Sequence, residues 1–216
     1  MSTGSSPSDP SATLAALAGD AQLGDRIRFV VELDQLKQVL RRTIVTDGTR
    51  RENTAEHSWH VATMALVLAD AADEPVDPMG VARLLLVHDI VEIDAGDTFV
   101  YDADGQETKA ARECAAAQRL FGLLPDGQGD ELRARWLEFE DGTTAEARFA
   151  RALDRLQPLL LNYASAGQAW REHGITADQV RAVNAAIEDG SPALWKLAQR
   201  LIDDAVARGW LPETGR

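Results

Sequence analysis

The chain has 216 residues, of which 45% are hydrophobic, enough to bury a core without covalent staples. With 35 acidic against 22 basic side chains its net charge is −13, a field that repels DNA and RNA and argues against a nucleic-acid polymer as partner. Its one cysteine, Cys114, cannot close an internal disulfide, no basic start followed by an apolar run marks a signal peptide, and no stretch reaches the ~18 apolar residues of a membrane span. A cytoplasmic protein that does not engage membranes is therefore expected.

Residues 1–22 read as a disordered or loosely ordered N-terminal segment, because Ser, Pro, Gly and Asp crowd its start. Residues 23–212 read as one domain. Phe29, Leu33, Leu36, Val39 and Leu40 form an apolar stripe that predicts a first long helix over about 26–45. The run TDGTRR breaks it. Asn53 with Glu56 three residues on predicts a capped helix that runs to about Ala72. Asp77 before Pro78 predicts the next, over about 77–93, with Gly96 as its stop. Phe99 and Tyr101 fall in a loop. Further helices are predicted over about 107–122, 129–139, 144–163, 176–188 and 193–208, with no strand and no repeat. The fold class is thus all-α, a single compact helical bundle.

Two short runs carry chemistry. AEHSWHVATMALVLAD holds His57 and His60, and LLLVHDIVEIDAGDT sets His88 and Asp89 inside an apolar helix. A buried, charged Asp is costly unless it is paired or bound to a metal. Glu92 lies four residues after His88 and three after Asp89, so it returns to the same face of a helix. An antiparallel neighbour brings His57 opposite His88, and Asp154, on the Ala/Leu-rich run ALDRLQPLLLNY, supplies a further acid. Two imidazoles and two carboxylates suit one divalent transition ion with positions left for water and substrate. Arg41, Arg42, Arg50 and Arg51 fall within eleven residues upstream of His57, and guanidinium forks match phosphate geometry. The alternative for this cluster is a solvated face paired to Glu52 and Glu56. His60 reads as a neutral core histidine, His173 as a helix-end residue, Trp59 as core, Cys114 as small core filler, and LEFED as a solvated helix end.

The ordered pattern His57, His88-Asp89, Asp154 resembles the HD superfamily of metal-dependent phosphohydrolases. The blocks RRENTAEHSWHVATMAL, HDIVEIDAGDT and ALDRLQPLLLNY are similar to its 5′-deoxynucleotidase branch, over residues 26–208. The resemblance implies a helical HD domain, a homodimer, one divalent metal held by His57, His88, Asp89 and Asp154, and hydrolysis of nucleoside 5′-monophosphates. The metal is left open among Co, Mn, Zn, Fe, Ni and Mg. Glu92 falls at the position of a catalytic acid working beside Asp89, and Asp97 at an acid of the substrate pocket. Arg41 or Arg42 falls where the branch carries an Arg-Trp pair; here the sequence is Arg-Arg-Thr. One rival stays within the phosphohydrolases, with another nucleotide, either a triphosphate or a natural product, as substrate; two differ in class, a two-iron oxygenase, for which four histidines are few, and a non-catalytic helical module stabilised by a metal.

Overall fold

Asp20 starts the second helix of the chain. The computed structural model describes residues 10–213, and in it α1 (Pro10–Leu17) packs against α2 (Ala21–Glu32), whose first turn is capped by the Asp20 carboxylate accepting from Leu23 N at 2.8 Å. The segment expected to be loose is thus helical from residue 10; the rest of that expectation, residues 1–9, lies outside the described residues.

The long helix expected over 26–45 is not formed. It stops at Glu32, tightens into a 3₁₀ turn over Leu33–Gln38, and becomes strand β1 (Leu40–Ile44), which pairs antiparallel with β2 (Arg51–Asn53). The reason lies in residues 43–50. Thr43, Ile44 and Val45 are β-branched, and Asp47-Gly48 forms a turn with Gly48 at φ 74°, closed by Val45 N donating to Arg50 O at 3.0 Å. TDGTRR is therefore a hairpin turn, and the expectation of no strand is corrected by this one small sheet.

The chain then enters α3 (Thr54–Leu68) through the expected cap. Glu56 N donates to Asn53 Oδ1 at 3.0 Å, and Asn53 N donates back to Glu56 Oε2 at 3.3 Å. α4 (Pro78–Val87) begins on the Asp77 cap as expected, but it ends six residues early. From His88 on, i→i−3 bonds replace the helical ladder, with Ile90 N on Val87 O and Glu92 N on Asp89 O. A short helix α5 (Glu92–Ala95) follows and stops at Gly96, φ 72°.

α6 (Ala103–Phe121) and α7 (Gln128–Asp141) come next, then α8 (Ala145–Ala164), which is the axis of the molecule. Its Phe149, Leu153 and Leu156 are fully buried, and α3, α4 and α7 pack around it. α9 (Gln168–His173), α10 (Ala177–Asn184), α11 (Ile187–Gly190) and α12 (Pro192–Ala207) complete the bundle, so the helix expected over 176–188 is two helices. The architecture is all-α apart from the hairpin. Two residues expected inside are outside: Trp59 is 67% exposed, and Cys114 is exposed because it lies on the outer face of α6.

α11 crosses α8 at Gly190, where a Cβ would stand 2.4 Å from the carbonyl oxygen of Arg148. The obstacle is backbone and cannot swing away. Gly190→Ala is expected to lower stability by about 1–3 kcal/mol, read as a lower urea midpoint at unchanged m-value.

Candidate metal centre

Three helices deliver the centre. His57 lies one turn inside α3, His88 and Asp89 at the broken end of α4, and Asp154 midway along α8. One ligand atom each from His57, His88 and Asp154 lies within 4.8 Å of the others. His57 Nε2 is 2.9 Å from Asp154 Oδ1 and 3.8 Å from Asp89 Oδ2, while His88 Nε2 is 3.1 Å from Asp89 Oδ2 and 3.6 Å from Asp154 Oδ1. Ligands bonded to one ion at about 2.1 Å stand roughly 3–3.5 Å apart in octahedral or tetrahedral sites, so the spacing fits a single small cation. His88 Nε2 is buried and makes no hydrogen bond, as a nitrogen meant for a metal would be.

Both imidazoles are aimed from behind. His88 Nδ1 donates to the carbonyl of Leu85 at 2.8 Å, and its ring rests against Phe139, centroids 4.7 Å apart. His57 Nδ1 lies 3.1 Å from Gln157 Oε1. In each ring the rear nitrogen therefore carries the proton, which leaves the Nε2 lone pair for the front. Burial, then the charge of Arg41, depresses the pKa of His57. At His88 burial works in the same sense but is outweighed by Asp89 and Asp154, so its pKa is raised well above normal. Burial would raise Asp89 and Asp154, yet the histidines and, for Asp89, Arg41 hold both below the usual carboxylate range. This corner favours positive charge in front of the imidazoles.

Behind the centre stands a second layer of acids. Thr54 donates its hydroxyl to Glu92 Oε2 at 2.8 Å; Glu92 is 5% exposed, and burial and the nearby Asp89 charge raise its pKa well above normal. Arg41 Nη1 donates to Asp89 Oδ2 at 2.9 Å and stands 3.6 Å from Asp97 Oδ1, while its Nε is 3.8 Å from Glu52 Oε2. Burial raises Asp97 against the pull of Arg41. Burial likewise pushes Glu52 up to about 7, opposed by Arg41 and by a hydrogen bond from Gln157.

The arginine cluster divides. Arg41 is in the centre, whereas Arg42 is exposed at the rim, and Arg50 pairs with Glu56 on the surface at 2.8 Å. His60 is not in the metal group; its Nδ1 lies 3.1 Å from Gln157 Nε2. His173 ends α9 with its ring 5.0 Å from that of Phe99. The LEFED run is not all solvated: Phe139 is buried and Glu140 borders the centre.

Two clefts open beside the centre and share Arg41, Asp97, Asp154 and Arg155. One, of about 730 Å³ including solvent-open space, adds Lys109, Glu140 and Arg151 to the candidate ligands. The other, of about 630 Å³ on the same measure, runs past Phe99, Tyr101, Asn162 and Trp170. Arg112 fastens the loop carrying Phe99, donating to the Ala95 carbonyl and to Thr98 Oγ1. Sequence reading passed over Gln157, Thr54 and Arg155, and it offered Glu52 as a partner on a solvated face, whereas Glu52 is buried. The signals were there: Gln157 follows Asp154 by one helical turn, and Glu52 alternates with Arg51 and Asn53 as an inward strand position.

An all-α bundle with this centre is the architecture of an HD domain, and the chain belongs to that family, whose model matches residues 33–195. A 5′-deoxynucleotidase HDDC2 from Bos taurus is 35% identical over 135 residues, which cover 62% of this chain and 64% of that protein, and its human counterpart is 33% identical over 135 residues, covering 62% and 65%. The matched stretch thus spans just under two thirds of these relatives. A solved structure described as a predicted metal-dependent phosphohydrolase from Magnetospirillum magnetotacticum MS-1 is 54% identical, with a TM-score of 0.84, covering 88% of this chain and 96% of that one. No described helix is long and apolar enough to cross a membrane.

Asp154→Ala removes one corner of the centre. Co²⁺ or Mn²⁺ at about a hundred times its dissociation constant is expected to stabilise the natural protein by about 2.7 kcal/mol, seen as a raised Tm, and to leave the variant's Tm unmoved.

Proposed function

We propose that this protein is a metal-dependent phosphohydrolase that converts nucleoside 5′-monophosphates, deoxyribonucleotides foremost, to nucleoside and phosphate. The observation that carries the reading is the meeting of His57, His88 and Asp154 within 4.8 Å, with Asp89 and Glu92 beside them at the mouth of two joined clefts. The names of the relatives supply the substrate class. His57, His88, Asp89 and Asp154 would hold one divalent ion, whose chemistry is to acidify a bound water and polarise a phosphoryl oxygen.

The chain's own groups do the rest. Glu92, held by Thr54, takes the proton of the attacking water and returns it to the leaving 5′-oxygen; its raised pKa suits a group that must carry a proton between steps. The phosphate needs a free cation. Arg41 is spent on Asp89, Asp97 and Glu52, whereas Arg155 lines both clefts and makes no hydrogen bond or ion pair among the described residues. Arg155 therefore binds the phosphate, and Arg41 orders the acids. The sugar and base extend into the cleft of Phe99, Tyr101 and Trp170, with Asp97 and Arg42 at its entrance.

A cytoplasmic homodimer is the form expected. An exposed apolar stripe on α3, made of Trp59, Leu66 and Val67, is a face that a second copy would cover, and light scattering reading a single-chain mass would rule this out.

The test is phosphate release from ribo- and deoxyribonucleoside 5′-monophosphates with Co²⁺, Mn²⁺, Mg²⁺ and Zn²⁺ in turn. Glu92→Ala is expected to keep metal affinity and lose about 10²–10⁴ in kcat. Arg155→Ala is expected to lose about 10–100-fold in kcat/KM, the value of a charged hydrogen bond. Absence of turnover with every nucleotide and metal would leave a non-catalytic module and end the proposal.

A further inference from the structure

α3 and α8 cross where each offers two polar side chains one turn apart: His57 and His60 on α3, Asp154 and Gln157 on α8. The His57 ring is contacted at both nitrogens by one turn of α8, Nε2 by Asp154 Oδ1 at 2.9 Å and Nδ1 by Gln157 Oε1 at 3.1 Å. Gln157 is wholly buried, as is His57. Its amide nitrogen is also engaged, donating to Glu52 Oε1 at 2.6 Å and to His60 Nδ1 at 3.1 Å. An amide placed this way cannot turn over. Reversal would set its oxygen against the Glu52 oxygen and against the His60 lone pair, and would present an N–H to His57.

We propose that Gln157, oriented by Glu52 and His60, is the positioning residue that fixes His57 as the Nδ1–H tautomer and so keeps its Nε2 lone pair turned to the metal centre. Glu52 is then not a ligand but the outer end of a chain of hydrogen bonds, strand to helix to helix. His60, the second histidine of the HSWH run, receives a role through the same amide. The inference rests on His57 being a metal ligand, and the readouts below separate the two claims.

The first readout needs no metal. In full-length protein labelled with ¹⁵N-histidine and stripped of metal, His57 Nδ1 is expected to keep its proton against Gln157 Oε1, whether or not Nε2 also carries a proton toward Asp154. Gln157→Met, close in shape but without the amide, is expected to lose the Nδ1 proton and leave His57 largely as the Nε2–H tautomer that donates to Asp154. An unchanged His57 spectrum in the folded variant would overturn the proposal. The second readout is Mn²⁺ or Co²⁺ affinity by calorimetry, expected to fall about 10–100-fold in Gln157→Met, the usual cost of losing a group that orients a ligand. Exchanging the two partners, as Gln157→Glu with Glu52→Gln, keeps an acceptor behind His57 and a donor facing it. The double variant is expected to recover the protonated Nδ1 and an affinity within about threefold of the natural protein. Failure of the folded double variant to recover the Nδ1 proton would also count against the proposal. If the tautomer responds as described while the natural protein takes up no metal, the hydrogen-bond chain stands and the reading of His57 as a ligand falls.

Discussion

Carboxylates kept out of water govern this structure. Glu52, Asp89, Glu92, Asp97 and Asp154 converge on one small volume, and the buried cation they share is Arg41. Removing an ion from water costs several kcal/mol even after relaxation, so one guanidinium cannot offset five acids. The protein responds in two ways. It lets burial raise Glu52, Glu92 and Asp97 toward their neutral forms, and it holds Asp89 and Asp154 charged against imidazoles. The charged pair therefore sits where His57 and His88 point, and that is where a divalent cation would resolve the imbalance.

The element that sequence periodicity concealed is the one that supplies this counter-charge. Arg41 and Glu52 sit one step inside the Leu40–Asn53 pair of the hairpin, so the turn at Asp47-Gly48 brings them side by side. Had residues 26–45 been one helix, Arg41 would have ended an isolated rod. The stripe from Phe29 to Leu40 imitates a helical period because the helix and the 3₁₀ turn place Phe29 and Leu36 inward in succession, whereas Leu40, on the strand, is exposed. The same logic explains the break after Val87. Leu84, Leu85 and Val87 read as a helix that should continue, but tighter turns are needed before His88 and Asp89 can face one point together.

What was legible follows from chemistry that has few other uses. Histidine and aspartate inside greasy helices are rare enough to announce a centre, and His57, His88 and Asp154 do meet. Capping at Asn53 and Asp77 was legible because a side chain bonds to a backbone at fixed spacing. Gln157 was not, since an amide in a core carries no charge to flag it, and its value depends on what α3 presents across the crossing. Trp59 was misread for the complementary reason: an apolar residue on a helix announces burial, yet its face of α3 has no partner among the described residues.

The neighbouring residues Asp154 and Arg155 show how little sequence separates the candidate metal centre from the wall of the clefts. Adjacent side chains on a helix diverge by about 100°, so one reaches inward to the histidines while the other lines the wall common to both clefts. Their opposite charges do not cancel, because Asp154 is already engaged by His57 and His88. Pro158, four residues later, cannot donate to the Asp154 carbonyl, and it lines the cleft of Phe99 and Tyr101. α8 is thus regular where it builds the core, at Phe149, Leu153 and Leu156, and irregular where it meets the cleft. A phosphate held by Arg155 would lie beside the centre because the helix geometry leaves it nowhere else to be, which makes the register of α8 the quantity on which positioning depends.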